Sequence, residues 1–395
     1  MSATPMASPA PNPSSAAPAA NPLQSADGPN LTCAVIGAGL GGVALVAAMG
    51  LAGYRMRLCD KNGARLAALA LRGGIDVEGT MQGFSPLERT TTDTAEAVDG
   101  ADLIIVVTGS THHATVARDL APILVDGQTI LLIQGGTGGS LIARRALREA
   151  GCHAVVDVAE MDNYPHSLGW PEPTRVRMTI SKRFLQIAAL PAARVEAVLA
   201  RVRRAFPQAT AAPDILHTGL NNMNAMLHVG NMIANIGRLE SDAKYRFYSE
   251  GYTPSIVRLL EAADAERLAI ARAYGVAVPP VLEWLERAYG FREPALGAMF
   301  DRLTNDPAGP YQWTPTPPSM EHKYVLEDVP CGLLPMAELG RAARVATPVI
   351  SGIVATAGAM TGRDFAAEGR TLERLGLEGK SAGEIRAIVR DGPVS

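Results

Sequence analysis

The stretch that decides the fold is Thr32-Cys33-Ala34-Val35-Ile36, followed at once by Gly37-Ala38-Gly39-Leu40-Gly41-Gly42. The first five residues form a short apolar run that predicts a buried strand, and the Ala-rich run reaching Gly50 predicts a helix directly after the glycines. Gly37, Gly39 and Gly42 fit the spacing G-x-G-x-x-G. In that spacing the first glycine permits a tight turn, the second lets a backbone approach a pyrophosphate, and the third lets the helix close on the strand. Phosphates then meet free N–H groups and the positive end of the helix dipole.

Working outward, a second strand predicted from Tyr54 to Cys59 ends at Asp60, 18 residues beyond Gly42. An acid at that distance accepts hydrogen bonds from adenosine ribose hydroxyls. The candidate cofactor-binding residues are therefore Gly37, Ala38, Gly39, Leu40, Gly41, Gly42, Asp60, Lys61, Arg65 and Thr108. A carboxylate at position 60 repels a 2′-phosphate, which favours NADH. NADPH is the alternative, because Lys61 or Arg65 could pair with that phosphate; the plainer reading of these two is a solvated helix start.

Further strands are expected at Asp102–Thr108, Gln128–Ile133 and His153–Val158, with helices beginning near Thr111 and Ser140. Asp93 and Thr94 look like a helix start and Asn62-Gly63 like a turn. This alternation is that of a parallel sheet wound with helices. After about Pro213 the β-like runs stop and helices separated by Pro and Gly take over. One is marked by Thr253 as N-cap, Pro254 at its first position and Gly275 past its end. Its apolar face holds Ile256, Leu259, Leu260, Ala263 and Leu268, with Arg258, Glu261, Asp264 and Arg267 largely opposite. The stretch Asp306–Ser319, with five Pro in fourteen residues, must be a loop. The expected organisation is a leader over 1–30, a dinucleotide-binding domain over 31–212 and a helical catalytic domain over 213–395.

Composition narrows the function. With 36 Lys plus Arg against 39 Asp plus Glu in 395 residues, the formal charge of −3 argues against a nucleic-acid-binding domain. No apolar run reaches the roughly 18 residues of a spanning helix, so no membrane segment is expected. Cys33, Cys59, Cys152 and Cys331 include no CxxC pair and no His at zinc-finger spacing, so neither a metal site nor a disulfide framework is indicated, and a reduced, cytoplasmic protein is the default. The first 30 residues hold seven Pro, eight Ala and five Ser with Asp27 as the one charge, a composition that reads as a disordered leader without secretory or transit features.

A second cluster runs from Asn221 to Asn235. At about 100° per residue, Asn221, Asn224, His228, Asn231, Asn235 and Arg238 share one stripe, while Met223, Met226, Leu227, Ile233 and Ile236 occupy much of the rest. From Ile215 to Gly237 no residue carries a formal charge apart from histidine. That describes a largely buried helix with a polar seam, whose groups need partners. A histidine there, with a carboxylate on its far nitrogen, sets a proton donor and acceptor near neutral pH. The bland alternative is that His228 and the asparagines merely bond to neighbouring helices. By position Asp328, Glu327, Asp242 and Glu240 are all candidate carboxylates.

Taken together, these features resemble the opine dehydrogenase family, the octopine and nopaline dehydrogenase-like enzymes, from about Leu31 to about Gly379. The resemblance rests on the glycine fingerprint, the Asp102–Ser110 strand leading to Thr111-His112-His113, and the turn Gly135-Gly136-Thr137-Gly138-Gly139. It continues through LNNMNAMLHVGNMIANIGRLE, RFYSEGYTP with DAERLAIARAYG, KYVLEDVPCGLLP and GRTLERLGL. It implies a Rossmann-type doubly wound α/β domain followed by an all-α domain, with catalysis in the cleft between them. It also implies NAD(P)H-dependent condensation of an α-keto acid with the amino group of an amino acid, and a homodimer.

Under the resemblance His228 matches the catalytic histidine and Asp328 its acid. Lys323 stands where relatives often carry an arginine that holds a substrate carboxylate, and lysine keeps the charge without the bidentate fork. Arg292, Arg238 and Arg246 are weaker candidates for a second carboxylate, Asn231 and Asn235 for hydrogen-bonding pocket walls, and Met226 and Met232 for apolar ones. Leu40 replaces a common asparagine, and Glu160–Arg177, with Tyr164-Pro165-His166 and Trp170-Pro171, departs from the family pattern in a way that reshapes the pocket. Ketopantoate reductase or glycerol-3-phosphate dehydrogenase-like enzymes use a catalytic lysine, whereas Lys244, Lys323 and Lys380 of the helical half all lie off the seam. A redox sensor that binds dinucleotide without turnover is the reading of a different class.

Overall fold

The computed structural model describes residues 31–241, 245–312, 314 and 316–392; the expected leader and the candidate Asp242 lie outside them. Twelve strands occur among these residues: β1 Thr32–Ile36, β2 Arg55–Cys59, β3 Gly74–Gly79, β4 Gly83–Pro86, β5 Arg89–Thr91, β6 Leu103–Val106, β7 Thr129–Ile133, β8 Asp157–Met161, β9 His166–Glu172, β10 Arg175–Ser181, β11 Leu185–Leu190 and β12 Ala209–Ala211. Eight make one sheet in the order β12-β11-β8-β7-β6-β1-β2-β5, parallel except where β11 runs against β8. Its central strands, TCAVI, LIIV and TILLI, are buried along their whole length, as strands covered on both faces must be.

The helix Leu40–Leu51 explains a second layer. Its sequence LGGVALVAAMGL carries no charge, and Gly42 through Met49 are all buried. A helix apolar all round needs cover on its outer face as well. That cover is a four-stranded sheet, β4-β3-β10-β9, packed across the helix from the side opposite the main sheet. This small sheet was not expected, although β10 alternates cleanly in RVRMTIS between buried and outward residues.

Other expectations shift. The strand expected at His153–Val158 forms at Asp157–Met161, because Val155 is exposed and its N–H bonds Asp126 Oδ1, while the polar Glu160 is taken into the sheet. Asn62-Gly63 opens a helix, Gly63–Arg72, with Asn62 as its cap. In the helix Pro254–Ala273, Asp264 and Arg267 are buried, not solvent-facing. Arg267 pairs with Asp264 and donates to Leu220 O at 2.8 Å and Pro279 O at 2.6 Å, tying three segments together.

Strands end at Ala211 and helices follow from Ile215, packed around a core of their own that holds Met226, Met232, Trp284 and Phe300. The last helix, Ala382–Asp391, returns to the nucleotide half and packs against Ala192–Arg194 and β11. None of the described helices is long and apolar enough to cross a membrane.

Candidate active site

The three glycines divide their labour as the spacing requires. Gly37 has φ +115°, and a side chain on it would press within 2.7 Å of Val107 O. On Gly42 a methyl would collide with Gly37 O, so the helix closes on the turn only because that atom is missing. Gly39 is the opposite case, with nothing within 4 Å of where its Cβ would stand. Open space beside a helix N-terminus is what a pyrophosphate needs. A cavity beside the loop is lined by Gly37, Gly39, Asp60, Thr108 and Gly109, with Lys61 and Arg65 at its edge.

Asp60 holds this turn from the end of β2. One oxygen accepts from Ala38 N at 2.7 Å and the other from Asn62 N at 2.8 Å. Arg65 lies 3.6 Å from the carboxylate, and Lys61 is paired with Asp119 instead. Leu40 and Gly41 begin the helix, and Tyr164 donates its hydroxyl to Gly41 O, so the divergent 160–177 segment braces the glycine turn.

In the helical half, the helix Met223–Ala234 is buried along most of its length, with His228 4% exposed. Asp328 reaches it from a chain segment shaped by Pro330. Proline has no N–H to give, and the chain widens into a π-helical turn, Val329–Leu333, in which Leu333 N bonds Asp328 O at 3.0 Å. Gly332 lies against Ala225 where any side chain would collide, so the turn sits directly on the His228 helix. The result is a hydrogen bond of 2.7 Å between Asp328 Oδ2 and His228 Nδ1.

His228 Nε2 lies 2.8 Å from Tyr248 Oη, and Tyr324 stacks on the ring with centroids 3.6 Å apart. Both contacts are satisfied when Nδ1–H donates to Asp328 and the Tyr248 hydroxyl donates to Nε2. Burial pushes the imidazole well below its ordinary range; the Lys323 ammonium adds to this and Glu327 opposes it. Burial, and then the neighbouring Glu327, hold the Asp328 carboxyl well above its usual value, with Lys323 acting the other way. A neutral imidazole, oriented by an acid and felt by a cation, can take a proton at Nε2 and return it.

Of the four candidate carboxylates, Glu327 goes elsewhere: its Oε1 accepts from Ser110 N at 2.8 Å, joining the Asp328 segment to the loop after β6. Glu240 is exposed. Lys323 is exposed at the start of the short helix that carries Tyr324. Asn231 and Asn235 do not offer their amides to a cavity; Asn231 Nδ2 donates to Phe247 O and Asn235 Nδ2 to Gly251 O, both at 3.0 Å. They hold the loop that delivers Tyr248. Arg292 is exposed just beyond the helix Val281–Tyr289. Arg238 and Arg246 both pair with Glu250 in the Tyr248 loop.

Sequence reasoning missed Tyr248, Glu327 as an interdomain contact, Lys182 and Arg370. Arg370 is buried and donates to Gly135 O, Thr137 O, Ser110 O and His113 Nδ1, so one guanidinium binds both loops at the sheet edge to the helical half. The one hint in the sequence was that this arginine lies in the GRTLERLGL motif.

A glycine turn of dinucleotide-binding spacing, with a buried His–Asp pair whose segment is tied through Glu327 to the loop after β6 that lines the same cavity, defines a two-domain NAD(P)-dependent dehydrogenase. Comparisons with known proteins narrow this class. Residues 211–361 match the family of NAD/NADP octopine/nopaline dehydrogenase, alpha-helical domain, and residues 33–166 match ketopantoate reductase PanE/ApbA. The chain is 37% identical over 359 residues to an opine dehydrogenase of Arthrobacter sp. (strain 1C), covering 91% of this chain and 98% of that one. It is 24% identical to the protein ocs of Agrobacterium tumefaciens (strain Ach5), covering 80% and 86% of the two chains.

Among solved structures, octopine dehydrogenase with NADH and L-arginine shares the fold with a TM-score of 0.75 at 18% identity, over 93% of this chain and 99% of that one. Yersinopine dehydrogenase with NADP+ does so with a TM-score of 0.66 at 16% identity, over 92% and 98%. The chain belongs to the opine dehydrogenase family and is an NAD(P)-dependent oxidoreductase.

Proposed function

We propose that this protein joins an α-keto acid to the amino group of an amino acid, using NADH, with His228 as its acid–base group and Asp328 as the acid that orients it. The observation that carries this reading is the buried 2.7 Å His228–Asp328 contact, on a segment that Glu327 ties to the loop after β6 beside the cavity at the glycine turn. The amine attacks the keto carbon, water leaves, and the imine so formed accepts hydride at that carbon to give a secondary amine. The bound nicotinamide supplies the hydride. His228 moves the proton at the carbonyl or carbinolamine oxygen through Nε2, the ring nitrogen not held by Asp328. Because Tyr248 Oη occupies Nε2, the reacting oxygen must either replace that hydroxyl or act through it.

Gly37, Ala38, Gly39 and the first turn at Leu40, Gly41 and Gly42 would hold the pyrophosphate, and Asp60 and Thr108 the adenosine side. NADH is favoured because the Asp60 carboxylate, already drawn toward Ala38 N, sits where a 2′-phosphate would bring more negative charge. Lys323, whose charge is felt at His228 and Asp328, serves a substrate carboxylate. We place the boundary between the nucleotide-binding and catalytic domains at 212/213, supported by the last strand ending at Ala211. A cytoplasmic location is supported by four free cysteines, three of them buried.

The test is NADH oxidation at 340 nm with pyruvate, oxaloacetate or 2-oxoglutarate, each with and without a panel of amino acids. Amine-dependent oxidation yielding a secondary amine is the expected result. Oxidation by a keto acid alone would reduce the protein to a hydroxy-acid dehydrogenase, and none with NADH or NADPH would favour a sensor.

A further inference from the structure

Lys182 is a buried charged group between the two halves that the family motifs leave unexplained. It lies between β10 and β11, at the edge of the main sheet where β8 ends, and its main-chain N–H donates to Pro165 O at 2.9 Å. The residue is only 8% exposed. Its ammonium donates to Asn163 Oδ1 and stands 5.8 Å from the ring of Trp284 in the helical half.

A chain of amides runs from there to the catalytic helix. Asn163 Oδ1 also accepts from Gln134 Nε2, and Gln134 Oε1 accepts from Asn224 Nδ2, each at 3.3 Å. Asn224 is one turn before His228 on the same face. Asp162, the carboxylate whose charge Lys182 feels, bonds Gln186 N with one oxygen and leaves the other unpartnered. Among the described residues the ammonium therefore has one neutral acceptor and no carboxylate in ion-pair contact. A buried ammonium with three donors is poorly served by one amide, and burial lowers its pKa to about 8; a carboxylate would give it the partner it lacks.

The chemistry of the reaction says which anion. Two cations are felt at His228, Lys323 from the helical half and Lys182 from the sheet, and the product carries two carboxylates. The carbon that receives hydride must face the nucleotide, and the keto acid's carboxylate is attached to that carbon. Of the two carboxylates it is the one bonded directly to the reacting carbon, and Lys182 is the buried cation of the nucleotide half that is linked to the His228 helix. We propose that Lys182 binds the carboxylate of the keto acid. This rests on the reaction proposed above.

The test does not need turnover. Binding of pyruvate, oxaloacetate and 2-oxoglutarate to the NAD+-loaded protein is measured by calorimetry for wild type and Lys182→Gln, in which an amide still donates to Asn163 but carries no charge. Loss of a charge-assisted contact predicts keto acid binding weaker by about 10- to 100-fold. The KM for keto acid should rise in parallel, with the KM for the amino donor and the Kd for NADH within two-fold of wild type. If Lys182→Gln does not hold NADH, Lys182→Met is read in the same way. Unchanged keto acid binding, or a change that falls on the amino donor, would overturn the proposal. Lys182-dependent keto acid binding without amine-dependent oxidation would overturn the reaction and keep the anchor; normal oxidation with unchanged binding in Lys182→Gln would do the reverse.

Discussion

Replacing Asp328 with asparagine tests the centre of the site with the least disturbance of shape. Asparagine has nearly the same volume, so the contact of Gly332 with Ala225 and the stacking of Tyr324 on His228 should survive. What disappears is the negative charge that Asp328 can present 2.7 Å from Nδ1 once the imidazole takes a proton. Two unit charges about 4 Å apart in a partly shielded site interact by about 4 kcal/mol. That attraction exists only when the imidazole is charged, so its loss raises the barrier and leaves binding alone. About 4 kcal/mol corresponds to about 10³ in kcat, within the range of general acid–base catalysis of about 10²–10⁴. The assay is NADH oxidation at 340 nm with the preferred substrate pair, accompanied by fluorescence titration of NADH. The NADH Kd should stay within two-fold, because Asp328 touches no part of the glycine turn. If Asp328→Asn keeps more than about a tenth of wild-type kcat, the pair is not the engine of proton transfer.

Tyr248→Phe removes one neutral hydrogen bond from Nε2: a loss of about ten-fold in kcat in the same assay means that the reacting oxygen acts through that hydroxyl, and unchanged kcat that it displaces it. Gly39→Ala should leave the melting temperature unchanged and weaken NADH binding at least ten-fold, whereas Gly42→Ala should unfold the turn and lower the melting temperature; equal behaviour of the two would contradict the division of roles. Arg370→Ala strands three carbonyls and a histidine and should cost about 3–5 kcal/mol in urea unfolding, since each buried acceptor left unpaired costs about 1–3 kcal/mol. Burial, and then Arg370, push His113 well below its ordinary value of 6.5. Its folded form therefore resists protonation while the unfolded chain does not, so this group's contribution is present above pH 6.5 and is lost as the pH falls below it. Melting curves of His113→Asn and wild type should accordingly converge between pH 7.5 and pH 5, and parallel curves would dismiss the effect.

The glycine turn was legible because its information is local. Three glycines, an apolar strand before and an acid after stand where the spacing put them, although the acid's oxygens hold the turn itself, accepting from Ala38 N and Asn62 N. The polar seam was half legible. Its lack of formal charge marked the helix as buried, and the stripe put Asn231, Asn235 and His228 on one face. Spacing cannot say what packs against that face: it suggests pocket walls at Asn231 and Asn235, whose amides hold the Tyr248 loop. Contacts across the fold left no local trace at all: Glu327 meets Ser110 from 217 residues away. Arg267 was misplaced for a related reason, since a charged residue on a helix is solvated by default, and only its spacing of three from Asp264 hinted at a buried pair.

The reach of Arg370 bears on how such a chain can be recombined. The boundary proposed at 212/213 invites exchange, with nucleotide half and helical half passed between relatives as separate cassettes. Yet the guanidinium that fastens the loops after β6 and β7 lies far to the C-terminal side of that boundary, and the last helix folds back onto β11 beyond it. A chimera cut at the boundary would bring together a clamp from one parent and loops from another. Halves that each look complete in sequence should join productively only where the donor's loops offer carbonyls in the positions Arg370 already reaches.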